Sequence, residues 1–129
     1  MGMDTGLEPG SDGERIASDA GEVRGATLVA GLLARRWVVP LVVALRDGPR
    51  RRFQLAVAVR GISAKVLTDT LRYLEVESIV ERQLVREFDS VGAGYALTAR
   101  GRALDELIAA LADWWAAHDL TPGQERATG

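Results

Sequence analysis

Hydrophobic positions along the chain change their spacing several times, and each change marks an element. From Ala26 to Leu33 alanine, leucine and valine predominate, which predicts a short helix. The stretch from Trp37 to Leu45 is almost continuously apolar, a pattern shared by strands and buried helices. Its valines favour a strand, but Pro40 would interrupt a central ladder and suits a helix's first turn. The reading is a helix, stopped by Asp47-Gly48-Pro49. Phe53 to Val59 predicts another short helix. After Arg60-Gly61-Ile62, Ser63 is an N-cap for a helix over 63–77. Two helices joined by a short glycine-containing turn are the helix-turn-helix pattern. On the ~100° step of a helix, Lys65, Thr68, Asp69 and Arg72 gather on one side, with Leu67, Leu71 and Leu74 opposite. Tyr73 falls at a packing edge of that helix.

Ile79 to Phe88 has strand character, and Tyr95-Ala96-Leu97 can pair back with it across a loop containing Asp89, Ser90, Gly92 and Gly94. Thr98 caps a last helix. Its stripe is Leu104, Leu107, Ile108, Leu111, Trp114 or Trp115, and His118. The order helix, helix, helix-turn-helix, hairpin, helix describes a mainly α fold with a small β-hairpin wing, the winged helix-turn-helix.

Composition narrows the function. At 129 residues and 47% hydrophobic content the chain suits one globular domain. The absence of cysteine excludes a disulfide framework, a thiolate metal site, a thiol redox switch and a cysteine nucleophile. One histidine, His118, leaves little room for a zinc site or a serine triad, and reads as a surface residue at a helix end. No apolar run approaches the ~20 residues of a membrane span, and the acidic start lacks a signal-peptide pattern. No glycine pattern of a phosphate loop is present. The expectation is a cytoplasmic protein, not an enzyme, with no cofactor, metal or membrane partner.

Net charge changes the picture once it is divided. The whole chain carries −2, but residues 1–22 hold six acids and one base, a net −5. Residues 24–82 hold eleven bases and five acids, a net +6, and 83–129 four bases and seven acids, a net −3. The basic middle contains the helix-turn-helix. Residues 1–22 hold only Met1, Met3, Leu7 and Ile16 as large apolar side chains, too few to offset ordering entropy. The domain expectation is a disordered acidic tail over 1–22, a winged helix-turn-helix over 23–119 and a flexible tail over 120–129.

Trp37-Val38-Val39-Pro40-Leu41, Asp47-Gly48-Pro49-Arg50-Arg51-Arg52-Phe53 and Gly61-Ile62-Ser63-Ala64-Lys65-Val66-Leu67-Thr68 follow one another in a definite order. After them come Leu71-Arg72-Tyr73-Leu74-Glu75, Ile79-Val80-Glu81-Arg82 and Tyr95-Ala96-Leu97-Thr98 with Gly101. In these segments, over roughly residues 24 to 117, the chain resembles the HxlR-type winged helix-turn-helix regulators of bacteria, relatives of the MarR group. The resemblance implies a homodimeric transcriptional regulator with the 63–77 helix in the major groove and the terminal helices forming the dimer. Many members carry a cysteine upstream of the tryptophan, used in some for redox or electrophile sensing; the matching position here is Arg24. The family's wing usually carries a base ahead of its tyrosine strand, whereas Val91-Gly92-Ala93-Gly94 follows Glu87 and Asp89 here. Such a wing is expected to repel phosphates.

Cations meeting phosphates supply affinity for DNA, and side chains reaching base edges supply specificity. Arg50, Arg51 and Arg52, ahead of the motif's first helix, are candidates for a backbone clamp or for a solvated loop. Ser63, Lys65, Thr68, Asp69 and Arg72 are the residues that could reach DNA: Lys or Arg to guanine, Thr to a thymine methyl, Asp69 to cytosine N4. Leu104, Leu107, Ile108, Leu111, Trp114 and Trp115 are the candidate dimer interface. The two adjacent tryptophans point ~100° apart, so core and partner packing both stay open. Trp37 and Trp114 are candidates for an effector pocket, its small molecule unidentified. The resulting reading is a regulator of double-stranded DNA acting as a homodimer on a pseudo-palindromic operator. The alternative is a winged-helix protein-interaction module with weakened DNA binding, controlled by the acidic tail.

Overall fold

The computed structural model describes residues 9–120, with side chains from Arg15 onward. The chain divides into two compact units, one ending at Arg36 and the other beginning at Trp37.

Among the described residues the first unit contains one helix, α1 (Pro9–Ala34). The segment expected to lack structure over 1–22 is thus helical from Pro9 on, while residues 1–8 lie outside the described residues. The short helix expected from Ala26 to Leu33 is the end of this longer one, and the expected boundary at 22–23 falls inside it. Low apolar content argues against folding, but a helix satisfies its backbone within its own segment. Extending an existing helix adds hydrogen bonds without a second nucleus. Ile16, Val23 and Leu28 are exposed along it.

The second unit follows the expected order. Helix α2 (Val38–Ala44) starts after Trp37 and accommodates Pro40 in its first turn, confirming helix over strand. A two-residue strand, β1 (Arg50–Arg51), leads into α3 (Arg52–Ala58). The turn to α4 (Ala64–Val76) passes through Gly61 at φ 88°, a left-handed conformation that favours glycine. Ser63 caps α4 as expected, its Oγ accepting from the Val66 amide at 3.1 Å. Strands β2 (Val80–Glu87) and β3 (Ser90–Leu97) form the hairpin, and α5 (Ala99–His118) closes the unit. Thr98 fixes that last corner: its Oγ accepts from the Gly101 amide at 2.9 Å and donates to the Ser78 carbonyl at 2.6 Å. The expected flexible tail lies, from residue 121, outside the described residues.

The sheet is antiparallel with order β1-β3-β2. Arg50 pairs with Tyr95, and the hairpin runs from Val80↔Leu97 to Glu87↔Ser90. Two features differ from the sequence reading. Strand β1 is too short to show alternation, so no periodicity announces it. The loop expected over 89–94 shrinks to a turn at Phe88-Asp89, with Gly92 and Gly94 inside β3. Both pair in the ladder, Gly92 with Val85 and Gly94 with Gln83 and Arg51. At Gly94 the Val85 side chain and the Arg50 carbonyl take the space of a Cβ, and at Gly92 the Arg51 guanidinium does.

The core draws on every helix of this unit and on the hairpin. Leu41, Leu45, Leu55, Leu67, Leu71, Leu74 and Ile79 are its largest fully buried side chains, and none of the described polar or charged residues is buried. No single helix among the described residues is long and apolar enough to cross a membrane.

Candidate nucleic-acid interface

The amphipathic split expected for 63–77 is realised in α4. Leu67, Leu71 and Leu74 are buried, so Lys65, Asp69 and Arg72 are necessarily carried outward on the same rigid cylinder. Lys65 Nζ donates to Asp69 Oδ2 at 2.9 Å, one helical turn on. That hydrogen bond, then the Lys65 charge and then that of Arg72, hold the Asp69 carboxyl below the usual carboxylate range. The Thr68 hydroxyl donates back to the Ala64 carbonyl at 3.1 Å, which spends its polar atom on the helix itself. Ser63 Oγ likewise accepts a helix hydrogen bond, at the cap.

The three consecutive arginines do not form one solvated cluster; all are half-buried, and each has a different task. Arg50 Nε donates to the Ala44 carbonyl at 2.7 Å, satisfying the C-terminal end of α2. Arg52 Nη2 donates to the Ala64 carbonyl at 2.9 Å, tying α3 to the start of α4. Arg51 crosses to the wing: Nη1 donates to Ser90 Oγ at 2.8 Å, and the guanidinium lies over Gly92 and 5.6 Å from the Phe53 ring centroid.

Arg51 alters the expected acidity of the wing. Glu87, beside the turn, accepts from Gln54 Nε2 at 3.0 Å and is half-buried. With Arg51 reaching over from β1, Arg82 and Arg86 bring the bases at the wing to three, equal in number to Glu81, Glu87 and Asp89. Arg82 is engaged with Glu75 at 3.3 Å and lies 6.0 Å from the Tyr95 ring centroid. Arg86 is exposed, as is Arg60 beside Gly61 in the turn before α4. Neither is among the residues the sequence pattern nominates, although a base next to the turn glycine is a signal that could have found Arg60.

The stripe on α5 divides in two. Leu104 and Ile108, expected at an interface, are core residues of their own unit, 8% and 7% exposed. Leu107 and Leu111 lie outside the core, and Trp114 and Trp115 are each 60% exposed. His118 is exposed at the helix end as expected; it stacks on Trp114 with centroids 4.8 Å apart, its Nδ1 3.0 Å from the Trp114 carbonyl. Asp105 anchors the buried side: Arg46 Nη2 reaches its Oδ1 at 2.8 Å, and Nε bonds both carboxylate oxygens at 3.0 Å. Arg46 is held above its ordinary value by that hydrogen bond first and the carboxylate charge second.

The candidate pocket residues sit at different places. Trp37 lies by the helix-turn-helix turn, its Cη2 3.8 Å from where a Gly61 Cβ would be, whereas Trp114 is on the exposed end of α5. An open groove is found instead on α3, lined by Arg50, Phe53, Gln54, Val57 and Ala58. No group of three or more potential metal-ligating side chains occurs among the described residues.

Comparison with known proteins agrees with this geometry. The profile of the HxlR-like helix-turn-helix family matches residues 32–121. YvaP of Bacillus subtilis (strain 168), an uncharacterised HTH-type transcriptional regulator, is 32% identical over 83 residues, 64% of this chain and 76% of the relative. A crystal structure of a MarR-family transcriptional regulator from Enterococcus faecalis V583 superposes with a TM-score of 0.65 at 30% identity, covering 73% of this chain and 84% of that one. The reduced form of the transcriptional regulator YodB from B. subtilis gives 0.63 at 32% identity, over 80% of this chain and 96% of that one.

Proposed function

The chain belongs to the HxlR-like helix-turn-helix family of transcriptional regulators, and from that premise we propose that it binds double-stranded DNA as a homodimer on a pseudo-palindromic operator. One observation carries this reading: α4 is pinned from behind by Leu67, Leu71 and Leu74, capped by Ser63, and presents Lys65, Asp69 and Arg72 on its outer side. Such a helix fits a major groove, and half-sites on a two-fold dimer lie about 34 Å apart. Phosphate contacts fall to Arg51 on the wing, with Arg60 and Arg86 as further exposed cations.

The dimer is assigned to the terminal helices. Leu107, Leu111, Trp114 and Trp115 on α5, and Ile16, Val23 and Leu28 on α1, are apolar and exposed in a single copy. A homodimer would cover them. Since the sequence contains no cysteine, any release signal acts without a thiol. Working on chromosomal DNA places the protein in the cytoplasm.

Fluorescence anisotropy with labelled duplex from upstream of the protein's own gene tests the reading. Binding that weakens steeply with salt, and falls at least tenfold in the Lys65→Ala/Arg72→Ala double variant, is the expected result. Salt-independent binding, or none, overturns it.

A further inference from the structure

The Lys65–Asp69 pair is unusual for what it does not do. It is an exposed (i, i+4) pair, a kind that adds little to helix stability. Its polarity is also the less favourable one: Lys65 stands in the first turn, where a helix prefers acid, and the first turn holds no acidic residue. An acid here also works against affinity, since a carboxylate repels the phosphates that Lys65 and Arg72 would attract. Helix stability and phosphate attraction therefore both leave Asp69 unexplained.

Base-edge chemistry accounts for it. An ionised carboxylate only accepts hydrogen bonds, and the charges of Lys65 and Arg72 keep Asp69 ionised. In the major groove, cytosine presents the N4 amino donor, while guanine presents only the N7 and O6 acceptors. An acceptor-only group is thus paired by one and opposed by the other. A lysine freed from its intramolecular partner is in turn suited to guanine O6 and N7. Residues four apart on a helix are about 6 Å apart along its axis, a spacing that suits neighbouring base pairs.

Resting on the DNA-binding reading above, we propose that Asp69 is the specificity-determining residue of α4, holding Lys65 neutralised until a cytosine N4 amino group replaces lysine as its partner. On non-cognate DNA the pair stays closed and Lys65 contributes little to phosphate attraction. On the cognate site cytosine satisfies Asp69 and Lys65 is released to an adjacent guanine. The device lowers affinity for all DNA and lowers it least for the right sequence, so it raises the ratio between them.

The test uses the full chain and its Asp69→Asn variant, each put through rounds of selection on a randomised duplex pool. Anisotropy on an unselected random-sequence duplex is measured alongside across a salt series. Wild type is expected to enrich a motif with an invariant C·G pair in each half-site. Asp69→Asn is expected to lose that column, to bind the random duplex several-fold more tightly, and to show a salt slope steeper by about one per α4 engaged. Circular dichroism checks that the variant keeps its helix content. An unchanged column, or unchanged affinity for random duplex, overturns the proposal while leaving DNA binding intact. A wild-type protein that enriches nothing and binds no duplex overturns the functional reading itself, and this inference with it.

Discussion

Arg51 and Ser90 meet across the wing: the arginine Nη1 donates to the serine Oγ at 2.8 Å, bridging 39 positions of sequence and carrying a positive charge onto a hairpin whose own tip is acidic. The guanidinium occupies the place a Gly92 Cβ would take, so a side chain there would make the end of Arg51 shift. Two substitutions should therefore have one phenotype. Arg51→Ala and Gly92→Val are both expected to weaken binding to any duplex several-fold, and Arg51→Ala to reduce the salt slope by about one per wing engaged. Anisotropy against salt concentration measures both. An Arg51→Ala protein that binds like wild type would show that Arg51 on the wing has no bearing on DNA.

The division of the α5 stripe leads to opposite expectations for neighbouring residues. Leu104→Ala and Ile108→Ala remove buried side chains and should each cost about 2–5 kcal/mol in denaturant unfolding. Trp114→Ala and Trp115→Ala should leave the packing of the second unit intact and instead raise the dissociation constant of the proposed dimer tenfold or more. Sedimentation velocity over a concentration series, set beside urea melts, separates the two classes.

Ser63 and Thr98 are both helix N-caps, yet their removal should not be equivalent. Ser63→Ala loses one accepting contact and should cost about 1 kcal/mol. Thr98→Ala loses the cap and also the bond to the Ser78 carbonyl, so its cost should be larger, about 2 kcal/mol. Chemical denaturation of both variants under one condition gives the comparison.

The lowered Asp69 carboxyl fixes a pH window. Its folded value lies below the unfolded one, so the stabilisation it provides is complete above the ordinary carboxylate range. It is lost as pH falls through the lowered folded value. Because the hydrogen bond from Lys65 is the leading cause, Lys65→Ala should move the Asp69 midpoint upward. Carbon-detected NMR titration of the side-chain carboxyl reads this directly; an unmoved midpoint in the variant would refute the assigned cause.

Local signals make most of the second unit legible in the amino-acid sequence. Pro40 marks a helix start, Ser63 and Thr98 mark caps, and the period of Leu67, Leu71 and Leu74 fixes which side of α4 is buried. That last inference also locates Lys65, Asp69 and Arg72 on the outer side, because opposite faces of one helix are set by the same 3.6-residue repeat. Composition misleads over segment 1–22 from Pro9 onward, since it weighs burial and says nothing of a helix extended from its neighbour.

Sequence by itself thus determined the order of elements in the second unit, apart from β1, and the outward face of α4, both of which depend on residues within a turn or two of each other. It also determined the family resemblance, which depends on the order of such local motifs. Only the tertiary structure decided which of three adjacent arginines reaches the wing, why Gly92 and Gly94 belong to a strand, and where along α5 the core ends. Those outcomes rest on contacts such as Arg51 to Ser90 and Arg46 to Asp105, 39 and 59 positions apart. A helical stripe records that a face is apolar, but how much of it one unit can cover is set by the size of the neighbouring elements. Here α2 and β3 pack against α5 and the burial stops after Ile108, leaving two tryptophans for a second copy of the chain to cover in the proposed dimer.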